Sequence, residues 1–309
     1  LYISHRLEEV YRLSDRLTVM RGGEIVGVLQ KEEIIPKTVT TMMIGHEIRD
    51  AHTRHDYKLF EDNVLEVKNL FYGKLLRDVS FRAVGGEILG VGGLVGSGRT
   101  ELVKCIYGAL TQSGGTITLS GKPVSKSIGK NIRAGFGLVP EDRRAEGFIP
   151  VQSIGKNIAI ASHDRLSKAG FMNGAAEIKW AQDAIRDYDI RPTDREYPVA
   201  NLSGGNQQKV VLSRWLSRNP KVLLLDEPTV GVDVGVRAEL YEYIRRLAGE
   251  GSIVIMVSSD LFELTHISDR ILIMHDGRFF HQFSNETATQ TAVLLAASGE
   301  HPEEGEALL

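Results

Sequence analysis

Three short stretches carry residue types at spacings that could do chemistry on a phosphate. Gly93-Leu94-Val95-Gly96-Ser97-Gly98-Arg99-Thr100 is a glycine-rich loop. Glycines so spaced let backbone N–H groups close around phosphate oxygens, and the Thr100 hydroxyl can reach a bound Mg²⁺. Leu202-Ser203-Gly204-Gly205-Asn206-Gln207-Gln208-Lys209 puts Ser-Gly-Gly ahead of a helical run. Bare N–H groups at a helix N-terminus suit an anion such as a phosphate. Val222-Leu223-Leu224-Leu225-Asp226-Glu227-Pro228 is an apolar run ending in two acids. A buried strand of this kind delivers both carboxylates to its C-terminal tip, where a metal and an attacking water can be managed. Adjacent carboxylates there are costly without a cation.

Those groups need elements to position them. Glu87-Ile88-Leu89-Gly90-Val91 reads as a strand leading into the glycine-rich loop, and Arg99 to Leu110 as the helix that follows. Val64-Leu65-Glu66-Val67 and Val79-Ser80-Phe81-Arg82 alternate as strands. The stretch from Gly147 to Val199 is largely helical and has no buried-strand run. From Asn206 the pattern becomes helix, strand, helix, strand, which implies a parallel sheet covered by helices.

Composition bounds the rest. With 309 residues and 42% hydrophobic content, the chain can bury a substantial core in one large domain or two smaller ones. A net charge of −3 gives no basic field of the kind non-specific nucleic-acid binding needs. One cysteine, Cys105, excludes an internal disulfide framework and fits a reducing cytoplasm; it reads as a small buried hydrophobe. No apolar run approaches the roughly 18 residues of a spanning helix.

The chain also repeats itself. Ser4, Leu7, Glu9, Ser14, Asp15, Arg16, Met20 and Gly23 recur as Ser258, Leu261, Glu263, Ser268, Asp269, Arg270, Met274 and Gly277, all at an offset of 254 residues. Matches in one register imply the tail of a first unit followed by an essentially whole second one. Beginning at Leu1 rather than Met, the chain is expected to be a fragment. Residues 1–30 are expected to be that tail, ending in a hairpin that turns at Arg21-Gly22-Gly23-Glu24. Residues 31–62 are expected to be a helix and linker, in which His46, His52 and His55 show no zinc-ligand spacing. Residues 63–298 form the second unit, with a helical subdomain at about 147–199, and 299–309 an acidic disordered tail.

Loop, Ser-Gly-Gly segment and Asp-Glu strand, in that setting, closely resemble the phosphate loop, signature and Walker B of the ATP-binding cassette (ABC) family. The fold this implies is α/β: a P-loop NTPase cassette with a mixed-sheet core, an antiparallel β subdomain and a helical subdomain, preceded by the tail of a first cassette. By the resemblance, Gly93, Gly96, Ser97, Gly98, Arg99 and Thr100 bind ATP, Thr100 and Asp226 hold Mg²⁺, and Glu227 is the general base. Ser203, Gly204, Gly205 and Gln207 serve an ATP held by the paired cassette, and Asp233 lies in the D-loop. Tyr72 or Phe71 stands where the family stacks an aromatic on the nucleotide; a core role explains either equally well.

The chain departs from the family at three positions. Arg99 replaces the phosphate-loop Lys, Glu141 replaces a Gln, and Ser259 replaces the switch His, whereas the first-unit copy keeps His5 there. Arg is planar and bulkier than the compact Lys ammonium. The expectation is two unequal ATP sites: one with His5 and the signature of this cassette hydrolyses, the other with Arg99, Glu141, Glu227 and Ser259 mainly binds. The fragment alone is expected to be a poor ATPase.

Val139-Pro140-Glu141-Asp142-Arg143-Arg144 and Pro228-Thr229-Val230-Gly231-Val232-Asp233 look like the ATP-binding subunit of bacterial monosaccharide importers of the ribose, galactose, arabinose and xylose type. This resemblance implies two membrane permease subunits, a periplasmic or extracellular sugar-binding protein and the first cassette of the same chain as partners, and no nucleic acid. It also implies a peripheral place on the cytoplasmic face of the inner membrane. Phe148 and Ile149 lie near the expected permease contact, or in the subdomain core. Rival readings are a soluble tandem ABC protein on ribosomes or DNA, which predicts a long basic linker; a nucleoside or autoinducer importer; and a regulatory ATP-binding module.

Overall fold

Apolar runs with no polar alternation become the centre of the main sheet. The computed structural model describes residues 12–21, 24–34, 38, 39, 42, 58–168 and 170–301. The chain opens with β1 (Arg16–Arg21) and β2 (Glu24–Gln30), then β3 (Phe60–Tyr72), β4 (Leu76–Gly85), β5 (Ile88–Gly93) and α1 (Arg99–Tyr107). β6 (Gly114–Leu119), β7 (Lys122–Pro123), α2 (Ile128–Ala134) and β8 (Phe136–Val139) follow. Next come α3 (Ile154–Ala159), α4 (His163–Leu166), β9 (Ser167–Lys168), β10 (Phe171–Met172) and α5 (Gly174–Asp187). The last stretch holds α6 (Gly204–Leu216), β11 (Val222–Asp226), α7 (Val234–Gly249), β12 (Ile253–Val257), α8 (Leu261–Ile267), β13 (Arg270–His275), β14 (Arg278–Ser284) and α9 (Gln290–Ala297).

A six-stranded sheet runs β14-β13-β5-β12-β11-β8, parallel throughout except for the antiparallel edge strand β14. All five residues of β11 and of β12 are buried, as parallel strands covered on both faces must be. Each Leu, Ile or Val removed from water there contributes about 1.5–3 kcal/mol. A separate antiparallel sheet runs β4-β3-β6-β7. β3 begins at Phe60, so the strand extends into the last residues of the expected linker. Between 147 and 199 the described residues form α3, α4 and α5, the two-residue strands β9 and β10, and irregular stretches at 148–153 and 188–198, and α3 and α5 pack on α6. Buried Arg214 on α6 ties that layer down through its Nε, which donates to the Asn157 carbonyl at 2.7 Å.

The repeat is reproduced in backbone geometry. β1 and β2 carry the boundaries of β13 and β14 less 254 residues. Their pairing begins Arg16↔Gln30 against Arg270↔Ser284, and the irregularity falls at Val19/Met20 against Ile273/Met274. The equivalence continues past residue 30. Thr38, Val39 and Met42 are helical and stand at the positions of Ala292, Val293 and Ala296 in α9. Val19, Leu29 and Val39 form a small core of their own. His5, the linker histidines and residues 302–309 lie outside the described residues.

Candidate functional site

β5 ends at Gly93 and hands over to the glycine-rich turn that opens α1. Gly98 takes φ 101°, and a Cβ there would lie 2.7 Å from the Leu75 carbonyl oxygen, so a side chain is excluded twice over. The turn that follows Tyr72 therefore abuts the loop. Tyr72 itself is half-buried against the main core, whereas Phe71 is 39% exposed. Gly96 lies mid-loop, Ser97 is buried, and its hydroxyl has no partner within the chain. Cys105, on α1, is free and buried; burial, with Glu101 adding, pushes its thiol up to about 11.

β11 delivers its two acids beside this loop, and they fare differently. Asp226 is 1% exposed, and neither carboxylate oxygen has a hydrogen-bond partner of normal geometry. Burial pushes its pKa up to about 6; the Thr100 hydroxyl pulls it down, Glu141 and Glu227 raise it, and Arg99 lowers it. Thr100, Glu141, Glu227 and Arg99 thus all surround one carboxylate. Two orphaned acceptors on Asp226 and an orphaned Ser97 hydroxyl in the loop fit a phosphate with a hydrated divalent cation, which is commonly held by one or two carboxylates plus phosphate oxygens.

Glu227, by contrast, is fully engaged. Its Oε1 lies 3.6 Å from Arg99 Nη2, and its Oε2 accepts from the Ser259 hydroxyl at 3.1 Å. Arg99 Nη1 also donates to the Ser258 carbonyl at 2.7 Å. Glu227 holds a left-handed φ of 49°, a strained setting that recurs where a side chain must be aimed. Arg99 therefore joins the loop to the acid, a contact that loop spacing alone does not reveal.

The Ser-Gly-Gly segment opens α6. Ser203 caps it, accepting from Asn206 N at 3.4 Å. A Cβ on Gly204 would lie 2.9 Å from both Arg143 Nη2 and the Gly231 carbonyl oxygen, so only glycine fits. Gly205 packs under Val236 and the Asp233 carboxylate, and Asp233 in turn caps α7 through Val236 N at 3.0 Å. Gln207 is buried and reaches the Val199 and Ala200 carbonyls at 3.4 Å.

Sequence reading missed three groups. Arg143 reaches the Val230 and Gly231 carbonyls. Glu263 is 1% exposed and accepts from Tyr241 and Ser258, and burial raises its pKa. Lys209 is 5% exposed and pairs with Glu239. The Glu9–Glu263 repeat match was the one available signal for the second. Among the described residues no helix is long and apolar enough to cross a membrane.

Residues 76–230 match a protein family described as "ABC transporter". The ribose import ATP-binding protein RbsA of Chromobacterium violaceum is 39% identical over 97% of this chain and 60% of its own length. The xylose import ATP-binding protein XylG of Thermoanaerobacter pseudethanolicus is 40% identical over 97% and 61%. The chain thus spans about three-fifths of the length of the curated relatives it matches. Among solved structures, cbiO1 from Clostridium perfringens, part of the ABC transporter complex cbiONQ, is similar at TM-score 0.63 and 25% identity, over 76% of this chain and 94% of that one. The dimeric structure of the bacterial ABC transporter cassette MJ0796 gives TM-score 0.63 at 22% identity, over 72% and 98%.

Proposed function

We propose that this chain, which belongs to the ABC transporter family, binds and hydrolyses ATP as part of the ATPase subunit that powers monosaccharide import. Asp226 carries the reading: its buried, partnerless carboxylate sits among Thr100, Arg99, Glu141 and Glu227 at the mouth of a phosphate loop. The ribose and xylose import names of the relatives supply the substrate class. Partners in this reading are two permease subunits, an external sugar-binding protein and the first cassette of the same chain, at the cytoplasmic face of the inner membrane.

Each residue has a role in this mechanism. Backbone N–H groups from Gly93 to Gly98, the Ser97 hydroxyl and Arg99 hold the phosphates, with Tyr72 flanking the base. Thr100 and Asp226 hold Mg²⁺, which when bound neutralises charge on the phosphate oxygens. Glu227 orients the attacking water and takes its proton. Ser203, Gly204, Gly205 and Gln207 serve the nucleotide of the paired cassette, with Asp233 at the junction and His5 beside that nucleotide's γ-phosphate.

The two sites are unequal in this proposal. For the base to act, Glu227 must leave both Arg99 and Ser259. That engagement favours a local site that binds ATP and turns over slowly, and it also supports a second reading, a regulatory ATP-binding module. The full-length protein, reconstituted with its permease subunits in proteoliposomes and supplied with its external sugar-binding protein, is expected to take up a monosaccharide of the ribose, xylose, galactose or arabinose type only with ATP inside. Uptake of none of these sugars, or uptake without ATP, would overturn the proposal. Single-turnover hydrolysis at the local site as fast as at the paired site would remove the asymmetry.

A further inference from the structure

The Pro140-Glu141-Asp142-Arg143 stretch is not used up by the functions assigned above. Residues Arg143–Gly147 form a single π-type turn, closed by Phe148 N donating to the Arg143 carbonyl at 3.1 Å. Such turns are rare and gather at functional places. Asp142 caps this one, accepting from Arg144 N at 2.9 Å and Ala145 N at 3.0 Å. The cap fixes where Arg143 leaves the backbone.

Arg143 then crosses to another part of the molecule. Nη1 donates to the Val230 carbonyl at 2.6 Å and Nη2 to the Gly231 carbonyl at 3.2 Å. The same guanidinium lies against Gly204, at the first turn of α6. Its Nε is buried without a partner, so the group is held by those two carbonyls and by packing. Behind it, Gly147 packs on Val211 of α6, and Glu146 pairs with Lys104 of α1 at 2.9 Å. One turn thus touches the helix after the phosphate loop, the signature helix and the D-loop.

We infer that Arg143 is a positioning residue that clamps the Val230–Gly231 carbonyls against the start of α6, so that signature and D-loop move as one body with the segment after β8. The inference rests on the function proposed above, because it assigns the clamp to the ATP of the paired cassette. Gly231, at φ 67°, turns two successive carbonyls towards one donor group. A planar fork satisfies both at once, and charge-assisted bonds are the stronger kind. A Lys ammonium can hold one well. Without the clamp the D-loop keeps its place in the chain but loses its fixed distance from Gly204. Val230 is 52% exposed, so little packing would replace the clamp.

Two readouts on the full-length protein test this: steady-state ATP turnover and amide exchange without nucleotide. In Arg143→Ala, kcat is expected to fall about tenfold with KM within about twofold, because the lost contact positions rather than binds. Amides of Val230–Asp233 exchange faster, while β11 and the body of α6 keep wild-type protection. Arg143→Lys falls between the two on both measures. Wild-type exchange at 230–233 in both variants overturns the clamp. Faster exchange with unchanged kcat overturns its tie to the paired site. A KM that rises as far as kcat falls assigns Arg143 to direct phosphate contact instead. Should Arg143→Ala lose protection throughout, Arg143→Lys decides on the same criteria. A wild-type protein with no ATP turnover would sink the function proposed above, whereas amide exchange still reads the clamp.

Discussion

On the phosphate-loop face, Arg99, Glu227 and Ser259 hold one another, while on the signature face Ser203 caps its own helix and Gly204 presents backbone beside Arg143. The first face answers its own charges inside the chain, except at Asp226. The second keeps small residues where a large anion would need room. A face that must release internal bonds before it can act is slow to act, whereas one that gives up nothing is ready for a ligand from outside. The difference supports the reading proposed above, in which the two motifs of one cassette serve different nucleotides.

The largest effect expected from this contrast comes from Gly204→Asp. It drives a carboxylate into the Gly231 carbonyl and into an anion site, and should cut ATP turnover of the full-length protein about 10²–10³-fold. Arg99→Ala in the same assay should cost less than about threefold. Equal losses would erase the contrast.

Asp226→Asn comes next. A folded pKa near 6, above the ordinary carboxylate value of 3.8, means that the folded state binds more protons than the unfolded one. The contribution of Asp226 to stability is therefore greatest below about pH 4 and declines as pH rises through 6. At pH 7.5 without Mg²⁺ the variant should be about 2 kcal/mol more stable than wild type in urea unfolding, and should lose Mg²⁺-dependent nucleotide binding. A less stable variant would mean that Asp226 has partners after all.

Ser259→His probes the other acid. It removes one hydroxyl bond to Glu227 and restores the ring kept at His5, and should raise single-turnover hydrolysis at the local site severalfold, up to about tenfold. No change would show that Arg99 alone sets the rate there. Smallest is Lys104→Ala, whose half-exposed partner Glu146 makes the pair worth under about 0.5 kcal/mol in thermal unfolding.

Local patterns were legible before the structure. β11 announces itself because five apolar residues in a row need cover on both faces, and the loop because glycines and Thr100 follow a strand. The hairpin at 16–30 was legible from self-similarity alone. Contacts between distant segments were not. Arg99 meets Glu227, and Arg143 meets Val230, only because β5, β8 and β11 end on the same side of one sheet. Nor does helical patterning announce a buried acid: Glu263 sits in the first turn of α8, where an acid usually favours the helix dipole in solvent. The repeat beyond residue 30 escaped because only Glu32 and Val39 are identical among its described helical residues.

A chain with two copies of one hairpin has two claimants for the same sheet edge. β5 accepts the later copy, through Asp269 to Ile88 N at 2.8 Å and Arg270 to Glu87 at 2.7 Å, yet both residues recur as Asp15 and Arg16. Discrimination falls to Ile271, Leu272, Ile273 and His275 against Leu17, Thr18, Val19 and Arg21, where Leu272 against Thr18 is the main loss of apolar surface, a margin of about one or two kcal/mol. The earlier copy is also nearer to β5 along the chain and leaves the ribosome first, which favours it kinetically. Correct pairing is then a matter of timing: the first hairpin must settle in its own sheet before β5 is complete, or it becomes a swapped edge.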